Sequence, residues 1–379
     1  MRPTYIPILK AKKGEFDALS HLHSTHAERI QPLFELPKLG HSVRRAKRFE
    51  NSTAITEAYL DEVAQHVARV RKGMPVFLDM FHWAPNARTE GGEHVLSYAS
   101  NALESLGVAV SPVIGYDRWD DLEYQQALRQ MRPTQGRYYC LRLDSSAIEE
   151  DFLDPPFFEG RLVEIMTTIG ISASECAVLV DFGDVTGKPI PHLQDGLERA
   201  LELLFSKGFM YFALAGCSLP PVINQIVKDQ DSERMVLRRE LVAWRSIRTI
   251  HPSVPLVFGD YGVRGPNSND EVIAPHRNGK IRYTTDQHYF VARGHSMQQR
   301  DKGKQYHRLA AIVATSGYYC GERFSWGDGE LLRCSLGEFP GNATTWIGID
   351  TNHHIVSVLS EILEFERQLV PATNALANS

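Results

Sequence analysis

The stretch PLVFGDYGV, from Pro255 to Val263, decides the fold. A short apolar run ends there in an aspartate and a tyrosine between two glycines, which permit tight turns and close backbone approach. Three other apolar runs end on an acid in the same way: VFLDM at Asp79, CLRLD at Asp144 and AVLVDFGD at Asp181. This recurrence predicts buried strands that each deliver a polar side chain to one edge of a sheet.

Apolar runs and amphipathic segments alternate along most of the chain. We count eight such runs, of which YIPIL at Tyr5 is the first and the stretch quoted above is the last. Parallel strands need crossover helices of this kind. Because there is no break between two halves, the pattern favours a closed (β/α)8 TIM-type barrel over an open doubly wound sheet. No GxGxxG follows the first run, so a dinucleotide-binding sheet is not indicated.

The alternation of apolar runs and amphipathic segments ends near residue 265, where we place the boundary between a barrel (1–265) and a C-terminal part (266–379). In the C-terminal part, KIRYTTDQHYFVAR from Lys280 to Arg293 predicts a β-hairpin, and residues 304–316 and 344–369 predict helices. We expect this α+β extension to pack over the barrel mouth. Within the barrel, residues 232–249 predict a strongly charged helix.

The composition is that of an ordinary globular protein. The chain has 379 residues, of which 43% are hydrophobic and 23% charged, and its formal net charge is -5. Its five cysteines are dispersed and never form a CxxC pair, which is typical of a reducing cytoplasm. No run approaches membrane-spanning length, so we expect a cytoplasmic protein without a membrane partner. A basic stretch at residues 36–50 leaves nucleic-acid binding open.

In a βα barrel the C-terminal ends of the strands face the active site. The residues at the predicted strand ends are almost all polar, and five of them are acids: Lys10, Glu35, Asp79, Tyr116, Arg142, Asp144, Asp181, Asp260 and Tyr261. Acids this close repel one another unless a cation compensates them. That cation is either a divalent metal such as Mg²⁺ or Mn²⁺, or the side chains of Lys10 and Arg142; retained protons are a third solution. The common alternative role for such an aspartate is a helix N-cap, which suits Asp144.

Several familiar signatures are absent from the sequence. It contains no GK[ST] phosphate loop, no HExxH, no GxSxG and no two-cysteine zinc motif. Nucleotide-driven motors, zinc proteases and serine hydrolases are therefore not indicated.

Four stretches that lie from end to end of the chain resemble the beta family proteins, which are named after a phage beta protein. They are YIPILKAKKGEFDAL at Tyr5, QPLFELP at Gln31, FGDYGV at Phe258 and TTWIGIDTNHHI at Thr344. The resemblance implies a bacterial or phage-borne cytoplasmic protein, often encoded near mobile elements or defence genes. The positions that its motifs single out are Lys10, Glu35, Asp260, Tyr261, Trp346 and either His353 or His354.

Our leading hypothesis is a metal-assisted phosphodiester or nucleotide hydrolase that acts in phage–host conflict. Mg²⁺ or Mn²⁺ would lower the pKa of a bound water. Lys10 and Arg142 would neutralise a phosphate, and Tyr261 or His353 would move a proton. The ligands of the ion would be Glu35, Asp79, Asp181 and Asp260, and the substrate would contact Tyr116, Arg293 and Trp346.

Two alternatives remain open. The first is a non-enzymatic recognition protein that binds a phage protein, a defence-system protein or a small signal molecule at the barrel mouth. The aromatic residues near the predicted strand ends and in the C-terminal part suit such a surface: Trp83, Tyr116, Trp326 and Trp346. The second is a glycosidase, which would need two acids about 5–10 Å apart.

Overall fold

The barrel predicted from the sequence is confirmed. A computed structural model describes residues 2–131, 137–266, 268, 278–298 and 303–376, with the backbone alone at 42 and 370–376. Eight parallel strands close on themselves, each hydrogen-bonded to the next and the last to the first. They are β1 (Tyr5–Leu9), β2 (Leu33–Glu35), β3 (Pro75–Asp79), β4 (Ala109–Gly115), β5 (Tyr139–Leu143), β6 (Cys176–Asp184), β7 (Phe212–Cys217) and β9 (Leu256–Asp260).

Helices surround the barrel and continue into the C-terminal part. The longer ones begin and end where the local sequence dictates. Asp154 precedes the helix Pro155–Ile169 and its carboxylate accepts the Phe157 N–H, while Gly170, with φ of 78°, caps the other end. The helices are α1 (Lys13–Ser20), α2 (Ser24–Ala27), α3 (His41–Arg44), α4 (Ile55–Arg71), α5 (Val95–Ser105), α6 (Leu122–Gln130), α7 (Ser145–Glu149), α8 (Pro155–Ile169), α9 (Ile190–Leu204), α10 (Arg239–Ile250), α11 (Gln305–Ala314), α12 (Trp326–Ser335) and α13 (Ala343–Leu376).

The strands are apolar on both faces because each face is buried. Side chains alternate along a strand, so one set fills the barrel interior and the other packs under the helices. In β9, Val257 belongs to the interior set with Ile6 and Leu33. Its neighbour Phe258 belongs to the outer set with Leu60 of α4. The same alternation determines which polar residues at the strand ends point into the barrel mouth.

A small antiparallel sheet lies against one side of the mouth. Its strands, in spatial order, are β10 (Asn278–Thr284), β11 (His288–Ser296) and β8 (Ser232–Leu237). The first two form the predicted hairpin. One face of the sheet packs with Cys217 and Tyr261 at the ends of the barrel strands, and the Tyr289 hydroxyl donates to the Gly262 carbonyl at 3.2 Å.

The strand β8 is a departure from the sequence-based prediction, which assigned residues 232–249 to one charged helix. The helix begins only at Arg239, and Ser232–Leu237 pairs along its whole length with β11. Its Glu233 is exposed and its Val236 is buried, as the two faces of a half-covered strand require. A strand from before residue 265 therefore belongs to the sheet that holds the C-terminal hairpin.

The long helix α13 closes the ring of helices outside β1 and β9. On one side it meets α1 so closely that a Cβ at Gly14 would lie 2.7 Å from Ile347 Cγ2. On the other side it meets α10, where the rings of Trp244 and Phe365 are 5.4 Å apart. Within the described residues, none of the helices combines the length and apolar character that crossing a bilayer needs.

Candidate functional site

The centre of the barrel mouth is the guanidinium of Arg142. It reaches inward from β5 and donates to three carboxylates that come from three other strands. Its Nη1 lies 2.7 Å from Asp79 Oδ2, its Nη2 lies 2.9 Å from Glu35 Oε1, and its Nε lies 2.8 Å from Asp181 Oδ2. All four residues are at most 4% exposed. Acids from far-apart segments therefore converge as expected, and a cationic side chain lies among them.

Tyr261 completes this cluster. Its hydroxyl accepts from Arg142 Nη2 at 2.7 Å and donates to Asp181 Oδ2 at 2.6 Å. Burial raises the pKa of Tyr261 well above its usual value, so the phenol keeps its proton at neutral pH. The cluster is thus a fully hydrogen-bonded network rather than a set of free acids.

A second guanidinium, that of Arg118, lies beside the first. It follows β4, and its Nη2 donates to Asp79 Oδ1 at 3.0 Å. Its Nε is buried and has no hydrogen-bond partner among the residues that the structure describes. The side chain fits only because residue 115 is glycine, since a Cβ there would lie 2.1 Å from that Nε. The ring of Phe81, which is 36% exposed, covers both guanidiniums, 5.3 Å from Arg118 and 4.5 Å from Arg142.

His82 connects this network to solvent. Its Nε2 lies 3.0 Å from Glu35 Oε2, and its side chain is 26% exposed whereas that of Glu35 is fully buried. Burial acts to raise the pKa of Glu35, but Arg142 and His82 outweigh it and lower this pKa to about 2. Glu35 is therefore ionised at neutral pH and fixes the imidazole in one orientation.

Lys10 directly follows β1 at the same rim. Its Nζ donates to two backbone carbonyls, those of Pro266 at 3.0 Å and Ser268 at 2.9 Å. The side chain is 6% exposed, and burial lowers its pKa to about 8. The next residue, Ala11, has a positive φ of 49°, an uncommon conformation for a residue that carries a Cβ.

Asp260 lies apart from the other three predicted metal ligands. It points out of the barrel toward α13, where His354 Nε2 lies 3.0 Å from its Oδ2. Its Oδ1 accepts from the Tyr5 hydroxyl at 2.5 Å and from the Gly262 N–H at 2.8 Å. Burial acts to raise the pKa of Asp260, but His354, Arg238 and Tyr5 outweigh it and keep the carboxylate ionised.

The remaining predicted site residues lie away from the Arg142 cluster. His353 bridges Asp328 and the Thr284 carbonyl, each at 2.8 Å, within the C-terminal part. Arg293 donates to backbone carbonyls at residues 227 and 228. Trp346 stacks on Tyr306 at 5.1 Å. Tyr116 follows β4 on the outer face and donates to Asp151 at 2.7 Å. None of these contacts brings the four residues to the mouth.

Sequence reasoning missed His82, Arg118 and Phe81. All three lie in the short segments that follow β3 and β4, where an acid and aromatic residues stand together: DMFHW after β3 and YDRW after β4. The signal was the failure of FHW to begin a helix directly after Asp79. Such a segment stays at the rim instead of leaving it.

The acids at the mouth do not fit a resident metal as they are arranged. Each of Glu35, Asp79 and Asp181 gives an oxygen to Arg142, so a divalent ion would have to displace the guanidinium. No group of three or more His, Cys, Asp and Glu side chains in the described ranges could hold a metal ion. The Mg²⁺ or Mn²⁺ site stays a prediction that only a binding measurement tests.

Comparison with known proteins agrees with the resemblance noted in the sequence. A search of curated proteins found no match. The profile of the family described as Beta protein matches residues 5–360, nearly the whole chain. The matched region includes every strand of the barrel, the small sheet and most of α13. The chain therefore belongs to the Beta protein family.

Proposed function

We propose that this chain is an enzyme that performs acid–base catalysis at the barrel mouth, with His82 as the base and Glu35 as the residue that orients it. The observation that carries the proposal is the 3.0 Å contact between His82 Nε2 and Glu35 Oε2. The pair lies at the end of the barrel where βα-barrel enzymes perform their chemistry.

The contact with Glu35 determines which ring nitrogen of His82 faces a bound molecule. An ionised Glu35 accepts the Nε2–H, so in the neutral form of the ring the lone pair lies on Nδ1. Among the residues that the structure describes, none hydrogen-bonds to Nδ1. The side chain of His82 is 26% exposed, so this nitrogen is available to a bound molecule or a water. A histidine oriented by a buried carboxylate is the usual arrangement of a general base.

Hydrolysis is the reaction class that we propose, because such a base can take a proton from an attacking water. The phosphodiester or nucleotide substrate is the more specific version. It needs Lys10 and Arg142 to bind phosphate, whereas Arg142 is already bonded to three carboxylates. A neutral polar substrate is therefore the better fit. A cytoplasmic role in phage or defence systems is implied by the family resemblance and stays a prediction.

The test compares His82→Gln with the parent protein on a panel of esters, glycosides and phosphodiesters, in the presence of EDTA. We expect turnover that resists the chelator and falls about 10²- to 10⁴-fold in the variant. His66→Gln is the matched control, since His66 is a partly exposed histidine that lies 3.9 Å from Glu62 on α4. Equal turnover in His82→Gln, or turnover that EDTA abolishes, would contradict the proposal.

One observation favours a second candidate, a non-enzymatic recognition protein. Phe81 lies over the two guanidiniums and presents an exposed aromatic face at the rim. Such a face suits binding of a protein or a small signal molecule. A binder should lose affinity in Phe81→Ala and keep it in His82→Gln, whereas the enzyme should be inactivated by His82→Gln.

A further inference from the structure

Lys10 combines features that the proposed acid–base pair does not use. We propose that Lys10 is a nucleophilic amine that forms an imine with a small, neutral, hydroxylated aldehyde or ketone bound at the barrel mouth. This inference goes beyond the proposed function and does not require His82 to act as a base.

The first support is the position of the amine. Lys10 extends β1 at the rim, and the register that pairs Ile8 with Leu33 and Leu9 with Phe34 places it beside Glu35. Its backbone is followed by the positive φ of Ala11, and strained non-glycine residues of this kind cluster at functional sites. The chain thus adopts an unfavourable conformation where it presents this side chain.

The second support is what surrounds the nitrogen. Nζ has two carbonyl partners, and within the described residues no carboxylate oxygen lies within 4.0 Å of it. A lysine without a paired acid can lose its proton more easily than one in a salt bridge. The lowered pKa of about 8 agrees with this, and it leaves about a tenth of the amine neutral at pH 7.

The third support is access. The two described residues that bond to Nζ, Pro266 and Ser268, are both partly exposed. Each accepts a hydrogen bond from the amine through its carbonyl oxygen. As far as the described residues go, a carbonyl compound that reaches the amine needs to displace two hydrogen bonds and no ion pair.

The charge at the mouth indicates the class of substrate. Among the described residues, Arg142 is paired with Glu35, Asp79 and Asp181, and Arg118 is paired with Asp79 and Asp117. Because both guanidiniums are already bonded to carboxylates, the arrangement disfavours phosphorylated compounds and 2-oxo acids as ligands. The many hydrogen-bonding groups favour hydroxyls, so the ligand is an uncharged hydroxylated carbonyl compound.

The chemical step balances without an added oxidant or reductant. The neutral Nζ forms a bond to the carbonyl carbon, and the π electrons of the C=O bond move to oxygen. The oxygen then leaves as water after it takes one proton from the amine nitrogen and one from the surroundings. The product is a protonated imine, in which the positive charge remains on nitrogen.

Reductive trapping tests the proposal on the full chain. The protein is incubated at pH 7 with glyceraldehyde and cyanoborohydride, which reduces an imine to a stable secondary amine, and each lysine is then quantified by peptide mass spectrometry. We expect Lys10 to be modified at least about tenfold faster than the exposed Lys13, because burial lowers the pKa of the Lys10 amine to about 8. In urea the two rates should become equal.

Two controls fix the interpretation. Lys10→Arg keeps the charge and should lose this adduct while the labelling of Lys13 is unchanged. Pyruvate, an anionic probe, should label Lys10 more slowly than glyceraldehyde does. Labelling of Lys10 no faster than that of Lys13 would overturn the nucleophilic role, and faster labelling by pyruvate would overturn the neutral substrate class. Because trapping needs no turnover, failure of the hydrolase panel does not affect this result.

Discussion

Replacing Arg142 with methionine should reverse the way in which stability changes with pH on the acid side. Methionine is similar in length to the aliphatic part of arginine but carries no charge. The change removes the partner of Glu35, Asp79 and Asp181 at once, and all three acids are at most 4% exposed. Leaving one buried charge without its partner costs about 3–5 kcal/mol. Since a whole domain has an unfolding free energy of about 5–15 kcal/mol, the variant should be close to unfolded at pH 7.

The direction in which the stability of the parent protein changes with pH follows from Glu35. Burial acts to raise its pKa, but Arg142 and His82 outweigh burial and lower the pKa from 4.5 to about 2, a difference that corresponds to roughly 3 kcal/mol. Because the folded-state pKa is lowered, this stability is fully present above pH 4.5 and is lost as the pH falls toward 2. Without Arg142 only burial and His82 remain, and the unpaired acids bind protons more tightly when folded. The variant should therefore gain stability as the pH falls from about 7 to about 5.

Urea unfolding of the parent and Arg142→Met between about pH 5 and pH 8 measures this difference. Arg142→Lys provides a variant that keeps one charge and should fall between the two. Arg48→Met is the matched control, because the Arg48–Glu62 pair is exposed and contributes at most about 1 kcal/mol. If Arg142→Met is as stable as the control at pH 7, or loses stability as the pH falls to 5, the carboxylates do not depend on Arg142 and the reasoning is wrong.

Three further predictions follow from the same contacts. Mg²⁺ or Mn²⁺ should not raise the melting temperature, since Arg142 occupies the position between the acids. A rise in melting temperature that depends on the metal concentration would support a metal site there. Gly115→Ala should displace Arg118 and destabilise the fold by about 1–3 kcal/mol in urea, because the Cβ overlaps the guanidinium. Burial raises the pKa of Glu240 to about 7, so the free energy of unfolding should fall as the pH rises from 4.5 through 7. Glu240→Gln should remove this dependence of stability on pH in urea unfolding, and an unchanged dependence would mean that another group causes it.

The barrel was predictable because its signal is local and repeated. Each strand is a short apolar run, each crossover is an amphipathic helix, and the acids mark where the strands end. The strand β8 was not predictable in this way, because only one of its six residues is buried and its partner β11 lies more than fifty residues later. A charged segment with no local strand partner resembles a helix until the long-range pairing is known.

The acids of the site could be predicted from the sequence, whereas His82 and Arg118, which bond to those acids, could not. Glu35, Asp79, Asp181 and Arg142 sit on strands, whose alternation sends each side chain into the interior. His82 and Arg118 sit on the connecting segments, where backbone direction depends on irregular turns rather than on a period. That Arg118 lies against Gly115 is a property of packing, and no spacing rule encodes it.

The pair Asp260 and Tyr261 shows how alternation could have been used further. Val257 and Tyr261 face the interior, and Phe258 faces the helices, so Asp260 must face the helices too. Consecutive residues at a strand end therefore serve different partners: Tyr261 joins the Arg142 cluster, and Asp260 joins His354 of α13. Because Asp260 Oδ1 also accepts the Gly262 N–H, the contact with α13 fixes the turn that aims Tyr261 at the mouth. The C-terminal helix and the barrel site thus depend on each other through one dipeptide.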